Sequence, residues 1–270
     1  MNFFTLDDPN ALPGTTTLNG VNNLSIGVGA SVNKAGVEVG IESGPNGVVE
    51  LDVPGATATQ FNGIDANDDA VGSYSFNGVT FGLLYHNGQF NTVPNTLDPN
   101  ATFTTLTGID EAGDMAVGNF IDAQGQTHPF TYNIATGQMA FRLIAANASV
   151  DGVDNSGDIV GTEVVNGSQR QAFLLSHGSV TPTPLAPPGS VSSEALGLNN
   201  TGQVVGEYTD LQSQTHAFLY DINTKTYQAP IAGTIPNTIA TGISDNASVL
   251  VGTYTDAHGS HGLVGTTVPA

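Results

Sequence analysis

Short runs of alternating apolar and polar residues follow one another along the chain, separated by turns rich in Gly, Asp and Asn. Between residues 102 and 143 the runs are FTTLTGI, MAVGNFI, THPFTYNI and QMAFRLI, and the turns are DEAGD, DAQGQ and ATG. A period of two predicts β-strands, and these turn residues suit tight antiparallel connections. No stretch keeps a 3.6-residue apolar period, so the pattern predicts four strands per unit and almost no helix.

The same pattern recurs six times at a nearly constant interval. Each copy opens with Gly, an aliphatic residue and Asp, Asn or Ser, and consecutive copies begin 43 to 45 residues apart. A second glycine follows nine or ten residues later, and then a phrase related to HAFLY. The first glycines are Gly20, Gly63, Gly108, Gly152, Gly197 and Gly242; the second are Gly29, Gly72, Gly118, Gly161, Gly206 and Gly252; the phrase begins at Val39, Phe81, His128, Gln171, His216 and His261.

Six copies of a four-stranded unit, each about 45 residues long, match the blades of a β-propeller. We therefore predict an all-β, six-bladed β-propeller that occupies residues 1–270 as a single domain. A linear solenoid is the alternative, and it would need atypical capping units at both ends. The predicted blades are approximately 18–55, 56–99, 100–145, 146–187, 188–233 and 234–265 together with 2–8.

The two ends of the sequence favour the ring over the solenoid. The first residues, MNFFTLDDPNALPGTTTL, resemble the segment that ends one unit and begins the next, as in GQFNTVPNTLDPNATFTTL. After SHGLVG only TTVPA remains, so the last unit lacks a fourth strand. We therefore expect the N-terminal strand, near residues 3–6, to close the ring by pairing with the C-terminal blade.

Charge narrows the range of partners. The chain has 24 Asp and Glu residues but only four cations, Lys34, Arg142, Arg170 and Lys225, which gives a formal net charge of −20. Such a surface repels phosphate, which argues against nucleic acid and anionic membranes as partners. A glycan, a peptide, a protein or a small neutral or cationic ligand fits better. Acidity of this kind also keeps a protein soluble, and we expect a monomer.

Other features of the composition exclude further classes. The chain has no Cys, so it has neither disulfides nor a thiol for catalysis or metal binding. No apolar run approaches the ~20 residues of a membrane-spanning helix, so we expect no membrane insertion. Motifs of α/β-hydrolases, zinc proteases, phosphate-binding loops and dinucleotide-binding folds are absent.

The fifth unit carries the clearest resemblance to a known family. Its sequence, GLNNTGQVVGEYTDLQSQTHAFLY, resembles the bacterial extracellular HAF-repeat family at Gly197, Asn199, Gly206, Tyr208, Asp210, His216, Ala217 and Phe218. The resemblance spans essentially the whole chain, but the first two units have Val39 and Phe81 in place of the histidine. It implies a bacterial β protein that is secreted or displayed at the cell surface, and it implies no reaction.

One face of the predicted propeller gathers Asp and His. The turns between the second and third strands read FIDAQGQTH, YTDLQSQTH and YTDAHGSH. Carboxylate and imidazole groups can bind a divalent ion, or act as acid and base on a ligand at the channel mouth. The candidate catalytic residues are Asp122, His128, Asp210, His216, Asp256 and His261, and the candidate metal ligands on this rim are Asp210, His216, Asp256, His258 and His261. A structural role, in which the histidine simply begins a strand, is the competing interpretation.

The opposite face carries a second acidic set. The turns read GIDANDD, GIDEAGD and GVDNSGD, and their acidic residues are Asp65, Asp68, Asp69, Asp110, Glu111, Asp114, Asp154 and Asp158. Four of these residues are further candidate ligands for Ca²⁺ or another divalent cation: Asp110, Asp114, Asp154 and Asp158. Tight hairpins also require Asp, Asn and Gly, so turn formation explains most of this pattern without a metal. No segment has the spacing of a calcium-binding hand loop.

Three functions remain open at this point. The first is a non-catalytic module that presents one face to a glycan, peptide or protein. The second is a hydrolase or lyase whose site lies at the channel mouth, with the rim Asp and His residues as acid and base. The third is a structural repeat protein whose acidic surface is organised by calcium. The sequence predicts no other cofactor.

Overall fold

The computed structural model describes residues 1–141, 144, 147–228, 231, 235 and 237–266. Arg142, the predicted blade boundaries at 145–146 and 233–234, and the final residues 267–270 lie outside the described residues. In the described part every regular element is a β-strand, which confirms the all-β prediction. No helix there has the length and apolarity to cross a membrane.

The described residues form 24 strands. In chain order they are β1 Asn2–Leu6, β2 Thr17–Val21, β3 Gly27–Val32, β4 Glu38–Gly44, β5 Gly47–Leu51, β6 Ala58–Ile64, β7 Ala70–Phe76, β8 Val79–His86, β9 Gln89–Val93, β10 Phe103–Ile109, β11 Met115–Ile121, β12 Thr127–Asn133, β13 Gln138–Phe141, β14 Ser149–Val153, β15 Ile159–Val165, β16 Gln169–Leu175, β17 Thr183–Leu185, β18 Ser190–Leu198, β19 Gln203–Asp210, β20 Thr215–Asp221, β21 Thr226–Gln228, β22 Thr238–Ile243, β23 Val249–Asp256 and β24 Gly259–Thr266.

These strands pair as antiparallel meanders of four, which we call units one to six. Units one to five are β2–β5, β6–β9, β10–β13, β14–β17 and β18–β21. Unit six consists of β22–β24 and, from the other end of the chain, β1. Single parallel pairs, Glu38 with Ala58 and Thr80 with Phe103, connect the first three units into one 12-stranded sheet.

The N-terminal strand occupies the predicted place. β1 runs antiparallel to β24, with Asn2 opposite Thr266 and Leu6 opposite Gly262. Asp7, just beyond β1, accepts a hydrogen bond from His261 Nδ1 at 3.0 Å. The outermost strand of unit six therefore comes from the opposite end of the sequence.

Within each unit we label the strands A to D in the order of the sheet. Strand A is the strand whose first landmark glycine contacts the neighbouring units. A Cβ added to Gly20 would lie 2.9 Å from the Cα of Gly63, and the equivalent contacts continue from each unit to the next. A Cβ on Gly242 of unit six would lie 3.1 Å from the Cα of Gly20 in unit one. The A strands thus approach one another at six first glycines, where only hydrogen fits.

Apolar side chains fill the space between units. The residue two places after the first residue of the HAFLY-like phrase is at most 1% exposed in all six units: Ile41, Leu83, Phe130, Phe173, Phe218 and Leu263. Phe218 of unit five, for example, packs in one cluster with Val160 and Leu174 of unit four. Full burial of one such side chain contributes about 1.5–3 kcal/mol, so the repeated phrase stabilises the contact between neighbouring units.

Candidate functional site

A β-bulge interrupts each A strand at the same place, directly before the first glycine. A bulge adds one residue to a strand and redirects its side chain. Here all six added residues line one cavity, which places one side chain from every unit around a common centre. These bulge residues are Asn19, Asn62, Thr107, Asp151, Leu196 and Thr241.

This cavity, which we call the funnel, has a volume of about 400 Å³. It lies on the side where the turns between strands B and C are found, because its wall uses the beginnings of strands A and C and the end of strand B. Beyond the bulge residues the wall comes from units one to three and is rich in hydroxyl and amide groups: Glu38, Ala58, Gln60, Ser73, Tyr74, Ser75, Thr80, Phe103 and Thr105. A narrower cavity of about 60 Å³ continues from the bulge residues to the other side.

Most bulge residues also connect neighbouring units. In four units the side chain donates a hydrogen bond to the carbonyl group that precedes the bulge in the next unit: Asn19 to Phe61 at 2.8 Å, Asn62 to Leu106 at 2.7 Å, Thr107 to Val150 at 2.7 Å and Thr241 to Leu18 at 2.6 Å. The ring of bulge residues is therefore both the floor of the funnel and a set of cross-links.

Asp151 is the one bulge residue with a carboxyl group, and an ionised carboxylate cannot donate a hydrogen bond. Among the described residues its only hydrogen bond comes from Ser149 Oγ, at 3.3 Å. Burial, with a smaller contribution from the charge of Glu194, raises the pKa of Asp151 to about 7, while the hydrogen bond from Ser149 and the charge of Arg170 oppose the rise. Asp151 is thus the ionisable member of the ring, and it titrates near neutral pH.

The predicted Asp and His pairs form, but each stays within its own unit. His128 Nε2 lies 2.7 Å from Asp122 Oδ2, and His216 Nε2 lies 2.8 Å from Asp210 Oδ2. His261 Nε2 lies 3.3 Å from Asp256, while its Nδ1 bonds to Asp7. None of these side chains lines the funnel.

The geometry around the rim pairs supports a structural role for the histidine. Asp210 Oδ1 accepts the N–H groups of Gln212 and Gln214, so the same carboxylate also holds the B–C turn. The His216 ring lies against Tyr208, with centroids 5.1 Å apart. The backbone hydrogen bond from Gln214 and that from the His216 side chain lower the pKa of Asp210.

Unit two fills the same position without histidine. Phe81, which stands where units three, five and six have His, stacks on Tyr74 with centroids 5.4 Å apart. A ring that lies against the aromatic residue of strand B is therefore the feature that unit two shares with units three, five and six. Those three units have the Asp–His pair in addition.

On the opposite face the acidic residues form the turns between strands A and B. Asp65, Asp110 and Asp154 each accept two backbone N–H groups of their own turn. Burial raises the pKa of all three, and those hydrogen bonds oppose the rise.

Two further aspartates make hydrogen bonds to the C–D side of their units. Asp69 bonds to His86 Nδ1, and Asp158 accepts the backbone N–H of His177. Turn formation accounts for these residues, as the alternative interpretation of the sequence predicts.

The A–B turns are also joined to one another around the molecule. A hydrogen bond links each turn to that of the next unit: Asn22 to Asp65, Ala66 to Glu111, Ala112 to Asn155, Asn155 to Asn200, Asn200 to Asp245 and, between units six and one, Asn246 to Asn23. The Glu111 side chain lines the narrow cavity among these turns. Burial and then the charge of Asp245 raise its pKa to about 7.

In the described ranges, no group of three or more His, Cys, Asp or Glu residues is arranged to hold a metal ion. The candidate ligands Asp110, Asp114, Asp154 and Asp158 are distributed over units three and four, and His258 is largely exposed beside Asp256. Calcium binding by these residues stays a prediction.

Sequence reasoning missed the bulge residues, although a signal was present. Each directly precedes the first glycine of its unit, and five of the six are polar. The preceding strand alternates, so the position reads as an ordinary strand residue until the bulge is known.

No family model and no curated protein matches the chain. Solved structures do match. TolB from Acinetobacter baumannii superposes with a TM-score of 0.62 at 12% identity over 91% of this chain, which spans only 65% of the TolB chain. An oligogalacturonate lyase in complex with manganese gives 0.58 at 11% identity, covering 99% of this chain and 96% of the lyase.

A third match is the β-propeller domain of the Trilobed protease from Pyrococcus furiosus, described as having an open velcro topology. It has a TM-score of 0.58 and 7% identity and covers 96% of this chain and 86% of that domain. Identities this low concern the fold alone. The chain therefore has a fold of the β-propeller type.

Proposed function

We propose that the six units form a closed, six-bladed propeller. Three independent sets of contacts support closure between units six and one: the approach of Gly242 to Gly20, the hydrogen bond from Thr241 to Leu18 at 2.6 Å, and that from Asn246 to Asn23 at 2.9 Å. The pairing of β1 with β24 supplies the last strand of the ring.

Deletion of residues 1–8 tests closure. Unit six then loses its D strand and the bond from His261 to Asp7, and we expect the Tm to fall by about 10 °C. Phe4→Ala is the control, because this side chain of the same strand is 50% exposed and its loss leaves the pairing intact. A truncated protein that melts like the full chain contradicts the closed ring.

We propose that the protein is a non-catalytic binding protein whose funnel holds a glycan without negative charge. The carrying observation is the wall of the funnel, where Asn, Gln, Ser and Thr side chains surround a space of about 400 Å³, within the ~300–1,000 Å³ of typical ligand sites. Amide and hydroxyl groups donate and accept hydrogen bonds, as sugar hydroxyls do. The net charge of −20 disfavours anionic ligands.

Two aromatic side chains add flat apolar surface to this wall. Tyr74 is held by a hydrogen bond to Thr92 at 2.8 Å and by its contact with Phe81. Phe103, at the start of an A strand, is 36% exposed. Aromatic rings with one polar end suit ligands that have both polar and apolar faces.

The test is a screen of neutral and amine-bearing oligosaccharides on an array, followed by calorimetry on the best of them. We expect Tyr74→Ala to weaken binding by about tenfold or more. Tyr254→Ala is the matched control, since Tyr254 occupies the same repeat position, bonds to Thr5 and stacks on His261, but lies away from the funnel. The proposal fails if no saccharide binds, or if both variants lose affinity equally.

The other predicted functions have less support from the geometry. The rim pairs lie in separate units and outside the funnel, so hydrolase or lyase chemistry at Asp122, His128, Asp210, His216, Asp256 and His261 stays a prediction. We also propose, from the HAF-like phrases alone, membership of the extracellular HAF-repeat family and a location outside the cytoplasm.

A further inference from the structure

The wall of the funnel changes character between units four and five. Units one, two, three and six each use an Asn or Thr bulge residue to donate to the next carbonyl group. Asp151 and Leu196 interrupt that pattern. In the described part of the chain, no side chain donates to the carbonyl groups of Ala195 and Ala240, which occupy the equivalent positions.

A second observation places unsatisfied polar groups at the same junction. Thr162, which lies opposite Ser149 in the sheet, is only 4% exposed, and its Oγ1 has no hydrogen-bond partner. The equivalent residue of unit three, Asn119, bonds to both backbone groups of Val150. Unit four therefore provides less internal hydrogen bonding at this junction than its neighbour does.

We propose that Asp151 is the specificity-determining residue of the funnel and binds a protonated amine on the ligand. The ligand class that follows is a glycan bearing a primary ammonium group, and this inference rests on the proposed function. An ammonium group donates three hydrogen bonds and carries the charge that a carboxylate complements. The sugar hydroxyls then meet the amide and hydroxyl groups elsewhere on the wall.

The charges around Asp151 leave this part of the funnel negative. Among the described residues Arg170 on β16 is the one cation at the junction, and it pairs with Glu194 on β18 at 2.7 Å. Glu207 on β19 lies near both, and burial and then the charge of Glu194 raise its pKa to about 7. Glu38 on β4 faces the same funnel, and burial raises its pKa too.

A dependence on pH follows from these groups. Because the pKa of Asp151 is about 7 in the free protein, its carboxyl is mostly protonated at pH 6 and mostly ionised at pH 8. An alkylammonium group stays charged over this range. Affinity for the amine should therefore rise with pH, and binding should release a proton.

Calorimetry with two matched probes tests the inference. The probes are a 2-aminoethyl lactoside and the same compound with its amine acetylated, titrated at pH 6 and pH 8 at constant ionic strength. We expect the amine to bind about tenfold more tightly than the amide at pH 8, with a smaller difference at pH 6. Putrescine serves as an amine without a sugar.

Two variants separate the carboxylate of Asp151 from net charge. Asp151→Asn introduces the residue found in units one and two, so it suits the fold, and it should abolish the preference for the amine. Asp245→Asn removes the same charge from the narrow cavity and should leave the preference unchanged.

The outcomes distinguish this inference from the proposed function. Equal affinity for the two lactosides, or a preference that survives Asp151→Asn, overturns the amine site and leaves glycan binding standing. Binding of putrescine that depends on Asp151, with no binding of either lactoside or of any arrayed saccharide, supports the amine site and overturns the glycan. Failure of all probes overturns both.

Discussion

At the scale of single residues, glycine sets how closely strands approach. The second landmark glycine of each unit faces the bulge of its A strand, and a Cβ there would overlap a backbone carbonyl oxygen; in unit five the partners are Gly206 and Glu194. Because that oxygen belongs to the sheet, it cannot move aside without breaking the bulge. The same bulge directs Leu196, or its polar equivalents, to the funnel.

Gly206→Ala should therefore destabilise the protein by about 3 kcal/mol, as overpacking against rigid backbone does. Gly44→Ala is the control, because a Cβ at Gly44 would have its nearest neighbour, Ile26, at 3.9 Å. Urea denaturation measures both. Equal midpoints for the two variants would contradict the steric argument.

Asp151 provides a second prediction at this scale, through the pH dependence of stability. Its pKa is about 7 when folded, above the ordinary aspartate value of 3.8, so between these pH values the folded state holds a proton that the unfolded chain loses. Stability from this group is present below pH 3.8 and is lost as pH rises to about 7. Asp151→Asn should raise the urea midpoint at pH 8 and change it little at pH 3.5. A lower midpoint at pH 8 would show that the ionised carboxylate stabilises the fold.

At the scale of elements, the B–C turn combines an aspartate, an aromatic residue and a ring at the start of strand C. Asp210 bonds to two turn N–H groups and to His216, whereas the His216 ring stacks on Tyr208. Unit two keeps the stacking with Phe81 and has no histidine. In unit five the carboxylate, and not the imidazole, thus holds the backbone of the turn.

His216→Phe should leave the urea midpoint almost unchanged, because Phe81 shows that a phenyl ring fits this position. Asp210→Ala should lower the midpoint, since two turn N–H groups lose their acceptor. The reverse order of the two variants would instead support a functional or structural requirement for the imidazole itself.

The strands and turns could be predicted from the sequence because they depend on local residue patterns. The runs FTTLTGI and MAVGNFI coincide with β10 and β11, and Phe130, Phe173 and Phe218 are buried as their period predicts. The funnel could not be predicted from the sequence, because it depends on β-bulges such as the one that shifts the register between Val150 and Gly152. Asp151 lies beside the GVD landmark, and it reads as an ordinary strand residue until the strands are assembled.

At the scale of the whole molecule, unpaired negative charge is the main feature. Only one pair between Arg or Lys and a carboxylate, Arg170 with Glu194, occurs in the described residues. With 24 carboxylates and four cations in the chain, mutual repulsion opposes the compact state. Salt screens such repulsion over roughly 10 Å at 0.1 M.

The Tm should therefore rise when NaCl is increased from 10 to about 200 mM, and rise at least as much with a few millimolar calcium. Differential scanning calorimetry measures both series, with a magnesium series as the control for non-specific screening. A flat response to salt would mean that self-repulsion contributes little to stability, and an advantage of calcium over magnesium would favour the calcium-organised alternative.

The pairing of β1 with β24 has a consequence for biosynthesis. Residues 2–6 leave the ribosome before their partners at 262–266, which emerge roughly 10 to 50 s later at ordinary translation rates. During that interval β1 has no partner strand, and the edge of β24 stays unpaired from its synthesis until β1 docks. Nascent chains are thus prone to domain swapping, in which β1 of one molecule pairs with β24 of another. Slow expression at low concentration should therefore favour the monomer.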